Sequence, residues 1–249
     1  MIAAVNVVFV VALFGCVVAH EFGHALHSLL SDCKYQSTGG TSVYWDFVEL
    51  PSQLYEHWLQ VPEVLGRFAI HAETGAPMPK ALLDKVLGAA NHDMGFQTVE
   101  YLASALVDLA FHRGDAPADP MQRQAEVLDR IGMPHAITMR HATPHFGHVF
   151  SGDGYSSGYY SYMWSEVMDA DACAVFEEAG DPFDAQTAEK LEAHILSVGG
   201  AEESRRIGER RLRGLGGRFG LGRFGSGSRS GSGVKALGRF RSRPIVAVV

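Results

Sequence analysis

The sequence predicts a mainly α-helical protein that contains one small β-hairpin. Apolar residues recur at helical spacing over six stretches: 7–31, 54–72, 80–112, 121–131, 158–179 and 185–197. Three prolines stand where a first helical turn tolerates them, and three glycines stand where helices end: Pro51, Pro62, Pro79, Gly75, Gly114 and Gly180. Strand patterning is limited to residues near Tyr35–Ser37 and Val43–Tyr44, and the glycine pair 39–40 between them suits a hairpin.

One stretch, residues 132–157, lacks a clean helical period. It combines proline, glycine and aspartate with four histidines. Loops of this length inside a compact protein are often functional. We therefore expect a long loop here that carries residues of the functional site.

Composition places the chain among globular proteins. Its 249 residues are 47% apolar and 20% charged, which allows a sizeable core and excludes collagen-like and wholly disordered proteins. The net charge of −7 is unevenly spread, because residues 201–249 hold 11 Arg and one Lys against three Glu. That segment carries +9 and leaves −16 for residues 1–200, so a nucleic-acid partner is considered only for the tail.

The tail, residues 201–249, also contains 11 glycines and almost no helical pattern, which predicts a disordered segment. One interpretation is an arginine/glycine-rich arm that binds RNA or an acidic surface. The other is a solvated extension without a function of its own. We favour the second, because only Phe219, Phe224 and Phe240 offer bases a stacking platform, and we expect no specific nucleic-acid partner.

The first 19 residues carry no charge and approach the length of a membrane-spanning helix. They lack the basic start of a signal peptide, and Asn6 interrupts the apolar run. We expect a buried core helix here, with a membrane or export segment as the alternative. The three cysteines form no C-x-x-C pair, so neither a disulfide framework nor a thiolate zinc site is indicated, and we expect a cytoplasmic protein.

The sharpest motif is His20-Glu21-Phe22-Gly23-His24 within a helical pattern. Histidines four residues apart project from one helix face, close enough for both imidazoles to bind one Zn²⁺ ion. Glu21 then lies beside the metal without binding it, where its carboxylate can accept a proton from metal-bound water. The motif therefore predicts a catalytic zinc centre, with two ordinary core histidines as the alternative.

A catalytic zinc normally has three protein ligands, so the motif requires one more. The glycine and third histidine of the extended H-E-x-x-H-x-x-G-x-x-H motif would fall on His27 and Leu30, which excludes it. Glu49, 25 residues past His24, is our candidate for the third ligand. Pro51 fits the first turn of a new helix there, on which Gln53 and Glu56 share a face with Glu49. Asp46 is either an acceptor behind a ligand imidazole or an ordinary N-cap.

Several segments together resemble a known family. The stretches HEFGHALH, DFVELPSQLYEHW, GFQTVEYLASALVDLAFH and FGHVFSGDGYSSGYYSYMWSEVMDADA look like the zinc metallopeptidases that include thimet oligopeptidase, oligopeptidase A and peptidyl-dipeptidase Dcp. The resemblance covers residues 18–200 and implies a zincin-type helical catalytic domain. It implies that His20, His24 and Glu49 bind one zinc ion and that Glu21 is the general base.

The resemblance also adds a second group of residues. It implies that His148 and Tyr155 contact substrate and stabilise the oxyanion, and that Tyr162 and Tyr159 follow as a catalytic and a substrate-binding tyrosine. Glycines at 152–158 would let this segment close over a peptide backbone. The spacing of the three tyrosines predicts one face of a helix. Without the resemblance, packing residues would be the preferred interpretation.

Two functions follow from this comparison. The first is a zinc-dependent oligopeptidase or peptidyl-dipeptidase that hydrolyses short peptides, and the second is a non-catalytic fragment that retains a zinc site or acts as a binding module. The second arises because family members have a long helical N-terminal portion, which is absent here, and because residues 1–17 and 201–249 depart from the family pattern. A truncated or frame-disrupted gene is one hypothesis for both junctions, and resequencing the locus would test it. The isolated chain is then a monomer or associates through exposed apolar surface.

Overall fold

The computed structural model describes residues 2–89, 92–200 and 214–216, with side chains from Gly15 onward. The predicted mainly α-helical class is confirmed. Within these residues the α-helices are α1 Ile2–Leu29, α2 Trp45–Glu56, α3 Pro62–Phe68, α4 Lys80–Ala89, α5 Met94–His112, α6 Pro120–Arg130, α7 Gly147–Phe150, α8 Ser161–Ala179 and α9 Ala185–Leu191. A single π-helical turn, Glu192–Leu196, follows α9.

The predicted hairpin is wrong. Residues Gln36–Thr38 form a 3₁₀ turn, and Val43–Tyr44 lead directly into α2. The backbone groups that a hairpin would pair are bonded elsewhere, since Thr38 N donates to Tyr35 O and the Thr38 carbonyl accepts from Gly200 N. An isolated antiparallel bridge occurs at a different place, between Ile70 and Pro77.

Helix α2 begins six residues before Pro51, so the prediction that Pro51 lies in a first helical turn is wrong. Tyr44 is the N-cap residue and has an extended backbone, and its carbonyl accepts the amides of Phe47 and Val48 at 3.0 Å each. This position excludes the N-cap role for Asp46, which lies inside the first turn. Pro51 is tolerated within the helix although it cannot donate to the carbonyl four residues earlier.

The chain divides into two compact units, and each is described separately. The first unit takes its described residues from Met1–Leu87 and from Trp164 onward. Its core joins α2, α8, α9 and the π-helical turn, and it contains Phe47, Leu50, Leu54, Met168, Ala172, Phe176, Leu191, Ile195, Leu196 and Leu215. Leu215 belongs to the predicted tail, whose other residues, apart from Gly214 and Gly216, lie outside the described residues.

The second unit takes its described residues from Gly88–Met163. Its core joins α5 and α6 to the segment between α6 and α8 and to the first turn of α8. It contains Tyr101, Ala105, Val107, Val127, Met139, Phe146, Val149, Tyr159 and Tyr162. The predicted long loop 132–157 is broken only by the short helices Thr143–His145 and α7. The division of the sequence into residues 1–17, 18–200 and 201–249 stays a prediction.

Helix α1 confirms the helical part of the prediction for the N-terminus, because it runs from Ile2 to Leu29 without interruption. The sequence predicts burial for residues 1–19. Residues 1–14 lie outside the described side chains, and among residues 15–19 the prediction is wrong, since none is buried and Val18 is 51% exposed. Across the part of the chain that the structure describes, no helix has both the length and the apolar character needed to cross a membrane.

The crossing of α1 and α2 is unusually close at Gly23. A Cβ atom placed on Gly23 would lie 2.5 Å from Ser52 Cα and 2.6 Å from the carbonyl oxygen of Pro51. Both neighbours are backbone atoms of α2, so they cannot move aside without shifting the helix. Glycine at this position therefore allows the two backbones to approach.

We predict that Gly23→Ala lowers the free energy of unfolding of the first unit by about 1–3 kcal/mol, because the new methyl group forces α1 and α2 apart. The measurement is urea unfolding followed by tryptophan fluorescence, since all three tryptophans belong to this unit. Gly15→Ala on the same helix is the matched control. Nothing lies within 4 Å of its Cβ position, and alanine favours a helix, so stability should not fall. Equal effects of both changes would contradict the close-contact explanation.

Candidate metal centre and tyrosine cluster

Two histidines and one glutamate meet where α1 crosses α2. His20 and His24 lie one helical turn apart, with ring centroids 5.0 Å from each other. Glu49 approaches from α2, and its Oε2 atom lies 3.3 Å from His20 Nε2 and 3.1 Å from His24 Nε2. One donor atom from each residue falls within 4.8 Å of the other two. The structure thus brings together all three residues that the sequence predicts as metal ligands.

Glu49 is only 2% exposed, so its carboxylate depends on partners within the protein. Besides the two histidines, Ser52 lies against it, with Oγ 3.0 Å from Glu49 Oε2 and 2.9 Å from the Glu49 carbonyl oxygen. Ser52 is fully buried. Ser52 is not among the site residues predicted from the sequence, although its position one turn after Glu49 on a helix indicates a contact with that side chain.

The other nitrogen of His20 is held by Glu56, seven residues after Glu49 on α2. His20 Nδ1 lies 2.9 Å from Glu56 Oε1, and Cys16 Sγ donates to Glu56 Oε2 at 3.1 Å. A ligand histidine commonly donates its second N–H to a carboxylate, which fixes the ring and leaves Nε2 free for a metal. Glu56 is one of the two polar residues that the sequence predicts on the same face of α2 as Glu49. The role of Asp46 behind a ligand stays a prediction; its carbonyl oxygen accepts from Ser165 Oγ at 3.4 Å.

The cluster has strongly shifted acid–base equilibria. Burial lowers the pKa of His20, but the hydrogen bonds that its ring donates to Glu49 and Glu56 and the negative charges of these residues raise it more, to about 9. Burial raises the pKa of Glu49, but hydrogen bonds from His20 and His24 and their charges lower it more, to well below its usual range. Without a metal, the cluster is therefore an ion pair in which a proton on His20 balances the buried carboxylate.

These residues fit a divalent metal ion. Two imidazole nitrogens and one carboxylate oxygen are the donor set of many catalytic zinc sites. The buried Glu49 carboxylate already requires a compensating positive charge, which a cation supplies as well as a proton does. Glu21 is exposed on α1 next to His20, and no described residue forms a hydrogen bond or ion pair with it. Its carboxylate is therefore accessible to water.

The second predicted group forms a hydrogen-bonded cluster within the second unit. His148 Nε2 lies 2.8 Å from the Tyr162 hydroxyl, and that hydroxyl donates to the Tyr155 hydroxyl at 3.3 Å. The Tyr155 and Tyr162 rings are parallel to within 4°, with centroids 6.1 Å apart. The structure therefore brings His148, Tyr155 and Tyr162 together, as the sequence analysis expected from the resemblance.

The geometry of the tyrosines differs from the prediction in one respect. Helix α8 begins only at Ser161, so Tyr155 and Tyr159 precede it in a turn and do not share a helix face with Tyr162. The turn includes Ser157, whose backbone has a positive φ of 61°. The helical spacing was misleading here because a side chain from another helix, Asp108, accepts the backbone N–H groups of Ser157 and Tyr159.

Tyr159 is a core residue of the second unit and is 4% exposed. Its ring stacks on Tyr101 with centroids 5.3 Å apart and meets the edge of Phe146 at 4.9 Å. Burial raises the pKa of its phenol; the charge of Glu100 adds to this rise and that of Arg140 opposes it. Its predicted contact with substrate stays a prediction.

The arrangement of α1 and α2, with two histidines one turn apart facing a glutamate from a second helix, is typical of the metal sites of helical metallopeptidases. Residues 16–212 match the family model described as Peptidase family M3. The chain therefore belongs to peptidase family M3.

Similar proteins of known name support this family assignment. Oligopeptidase A of Escherichia coli (strain K12) is 40% identical over 188 residues, which are 74% of this chain and 27% of that protein. Dipeptidyl carboxypeptidase of the same organism is 35% identical over 193 residues, 76% of this chain and 28% of that protein. A probable cytosolic oligopeptidase A of Arabidopsis thaliana is 36% identical over 197 residues, 74% and 27% of the two chains. The chain thus spans about a quarter of the length of these relatives.

We predict that the metal-free first unit is most stable between about pH 4.5 and 6.5. The raised pKa of His20 gives stabilisation that is complete below its unfolded value of 6.5 and is lost as the pH rises through about 9. The lowered pKa of Glu49 gives stabilisation that is present above its unfolded value of 4.5 and is lost as the pH falls.

This pH dependence is measured by urea unfolding of chelator-treated protein from pH 5 to 10, again by tryptophan fluorescence. Glu49→Gln is the control, because it removes the larger of the two carboxylate contributions that raise the pKa of His20. The variant should lose most of the decline in stability above pH 6.5. A decline of the same size in both proteins would show that another group causes it.

Proposed function

We propose that this chain is a zinc-dependent hydrolase of short peptides. The observation that carries the proposal is the convergence of His20 Nε2, His24 Nε2 and Glu49 Oε2 beside the exposed Glu21. One zinc ion would be held by these three residues. When bound, zinc supplies a Lewis acid that polarises a peptide carbonyl and lowers the pKa of a water molecule.

The chain's own residues account for the proton transfers. Glu21 accepts one proton from the attacking water, whose oxygen forms a bond to the carbonyl carbon of the substrate. Glu21 then delivers that proton to the amide nitrogen as the C–N bond breaks. Glu21 thereby returns to its ionised state. The second proton of the water passes from the new carboxyl group to the amine, so the products are a carboxylate and an ammonium group. Glu56 keeps His20 in the tautomer that presents Nε2, through the 2.9 Å contact with Nδ1.

The second cluster has a separate proposed role, which rests on the family resemblance. His148, Tyr155 and Tyr162 would donate hydrogen bonds to the substrate oxygen that becomes negatively charged in the transition state. The bonds among the three side chains orient their hydroxyl and imidazole groups before substrate binds. Tyr159 would contact the peptide from the same segment.

The substrate class is proposed from the names of the relatives. Oligopeptidase A indicates short peptides, and dipeptidyl carboxypeptidase indicates removal of two residues from a carboxyl terminus. Both specificities remain open for this chain. A cytoplasmic location is part of the proposal and is supported by the probable cytosolic oligopeptidase A among the relatives.

A second candidate function is zinc binding without hydrolysis. It is favoured by one observation, that the chain spans only 27% to 28% of the length of the bacterial relatives. If substrate binding requires parts of those proteins that have no counterpart here, the metal centre would form without turnover. Exposed apolar side chains such as Phe68, which is 75% exposed, would then favour association with another polypeptide.

We predict that the zinc-loaded chain cleaves short peptides and that Glu21→Gln reduces the rate by about 10²–10⁴-fold, the usual contribution of a general base. The measurement is mass spectrometry of a peptide pool after incubation with each protein. Glu63→Gln, which neutralises an exposed acid on α3, is the control and should leave the rate unchanged. Products shortened by two C-terminal residues indicate a dipeptidyl carboxypeptidase, and scattered internal cuts indicate an oligopeptidase. Stoichiometric zinc with no cleavage by any variant would establish the second candidate.

We predict that Glu56→Gln weakens zinc binding by about 10–100-fold, because the ligand His20 loses its charged hydrogen-bond partner. Zinc affinity is measured by competition with a chromophoric chelator, with Glu63→Gln as the charge-matched control. An unchanged affinity in Glu56→Gln would mean that the helix backbone alone orients His20.

A further inference from the structure

Asp108 on α5 is a buried carboxylate with no place in the proposed reaction. It is fully buried, yet its Oδ1 accepts the backbone N–H of Ser157 at 2.9 Å and its Oδ2 accepts that of Tyr159 at 3.0 Å. His112, one turn later, places Nδ1 2.9 Å from Oδ1 and 2.8 Å from the Asp108 carbonyl oxygen. Since both of these oxygens are acceptors, Nδ1 of His112 carries the proton and helps to fix the carboxylate.

These hydrogen bonds stabilise a segment in which some backbone N–H groups have no acceptor within the segment itself. Residues 155–160 form turns, and Ser157 has a positive φ of 61°, so the amides of Ser157 and Tyr159 have no helical acceptors. Hydrogen bonds from backbone N–H groups to a carboxylate are about twice as strong as those between neutral groups. Asp108 therefore stabilises a backbone conformation that is energetically unfavourable for a residue other than glycine.

Tyr101 lies on the same face of α5 as Asp108, seven residues earlier, and forms hydrogen bonds with the same segment. Its hydroxyl donates to the carbonyl oxygen of Tyr159 and accepts the N–H of Met163 at 3.3 Å. One face of α5 thus binds four backbone groups between residues 157 and 163. Tyr155 precedes the held segment by two residues, and Tyr162 lies within it.

We propose that Asp108 is a positioning residue of the tyrosine cluster. Acting through the amides of Ser157 and Tyr159, its carboxylate sets the distance between the Tyr155 and Tyr162 hydroxyls, and through Tyr162 the orientation of His148. Asp108 touches no substrate. For the reaction, this inference rests on the proposed function, since the cluster matters for turnover only if it contacts the reacting carbonyl.

A purely structural role for Asp108 is the competing explanation, and the two differ in what a conservative change does. Asp108→Asn keeps the shape of the side chain but replaces one acceptor oxygen with an NH₂ group. That group faces a backbone N–H, so one of the two amides loses its partner. The turn then shifts while the apolar core around it keeps its side chains.

The experiment compares the full-length wild type, Asp108→Asn and Asp119→Asn. Asp119 is the matched control, because its carboxylate also accepts two backbone amides in the second unit, those of Met121 and Gln122. It caps α6, and asparagine caps equally well. The first readout is NMR of ¹³C-labelled tyrosine rings, with the Tyr155 and Tyr162 signals assigned from their phenylalanine variants. The second is kcat and KM for a peptide that the wild type cleaves.

Asp108→Asn should shift the Tyr155 and Tyr162 signals and lower kcat by about 10²-fold, the effect of a misplacement of about 1 Å. KM should stay within about twofold, because oxyanion donors act on the transition state and not on the bound substrate. Zinc affinity should be unchanged, since the proposed ligands belong to the first unit. Asp119→Asn should change none of these quantities.

Unmoved tyrosine signals in a folded Asp108→Asn protein would overturn the inference, as would equal effects of Asp119→Asn. If Asp108→Asn does not fold, Tyr101→Phe tests whether contacts from α5 position the tyrosine cluster. This change removes one hydroxyl and keeps the ring that stacks on Tyr159. It should shift the same two signals. If the wild type cleaves no peptide, the proposed function fails, and the NMR result still decides whether Asp108 positions the cluster.

Discussion

The close approach of α1 and α2 at Gly23 is the constraint on which the metal centre depends. A ligand set drawn from two helices can converge only if the backbones come near enough for short side chains to meet. Glycine on α1 and the Pro51–Ser52 backbone on α2 provide that distance. The same contact buries Ser52 against Glu49, so the residue that closes the helix crossing also supports the carboxylate at its centre. The packing of α1 against α2 therefore requires glycine at residue 23, although this residue lies inside the His20–His24 motif.

Two buried carboxylates, Glu49 and Asp108, show how the choice of partners decides what a buried charge can do. Both are almost inaccessible to water and both accept several hydrogen bonds. The partners of Glu49 include two imidazoles, which exchange protons and bind metals, so its compensating charge can be replaced. Asp108 has one imidazole partner, His112, and two backbone amides, which neither titrate nor move independently of the fold. The first arrangement suits a centre that takes up an ion, and the second suits a fixed support.

Sequence patterns predicted the features that depend on local spacing. The i, i+4 histidines identify one face of α1, and the search for a third ligand reaches Glu49, because both arguments need only helical geometry. Predictions from helical spacing are wrong where contacts between residues far apart in the sequence determine the backbone conformation. Tyr155, Tyr159 and Tyr162 have helical spacing, but Asp108, 49 residues before Ser157, takes the amides that would have continued the helix. The prediction that Pro51 lies in a first helical turn is wrong for a related reason. The packing of α2 outweighs the loss of one helical hydrogen bond.

Each of the two side-chain clusters is complete within its own unit of the chain. His20, His24, Glu49 and Glu56 come from the first unit, whereas His148, Tyr155 and Tyr162 come from the second, together with the α5 residues that support them. The contacts of Glu49 with His20, His24 and Ser52, and those among His148, Tyr155 and Tyr162, all join residues of the same unit. The proposed zinc binding, the order in the tyrosine cluster and the proposed peptide hydrolysis can therefore be tested separately. Only hydrolysis also depends on holding a peptide across the reacting groups, so it is the property most sensitive to what the longer relatives add.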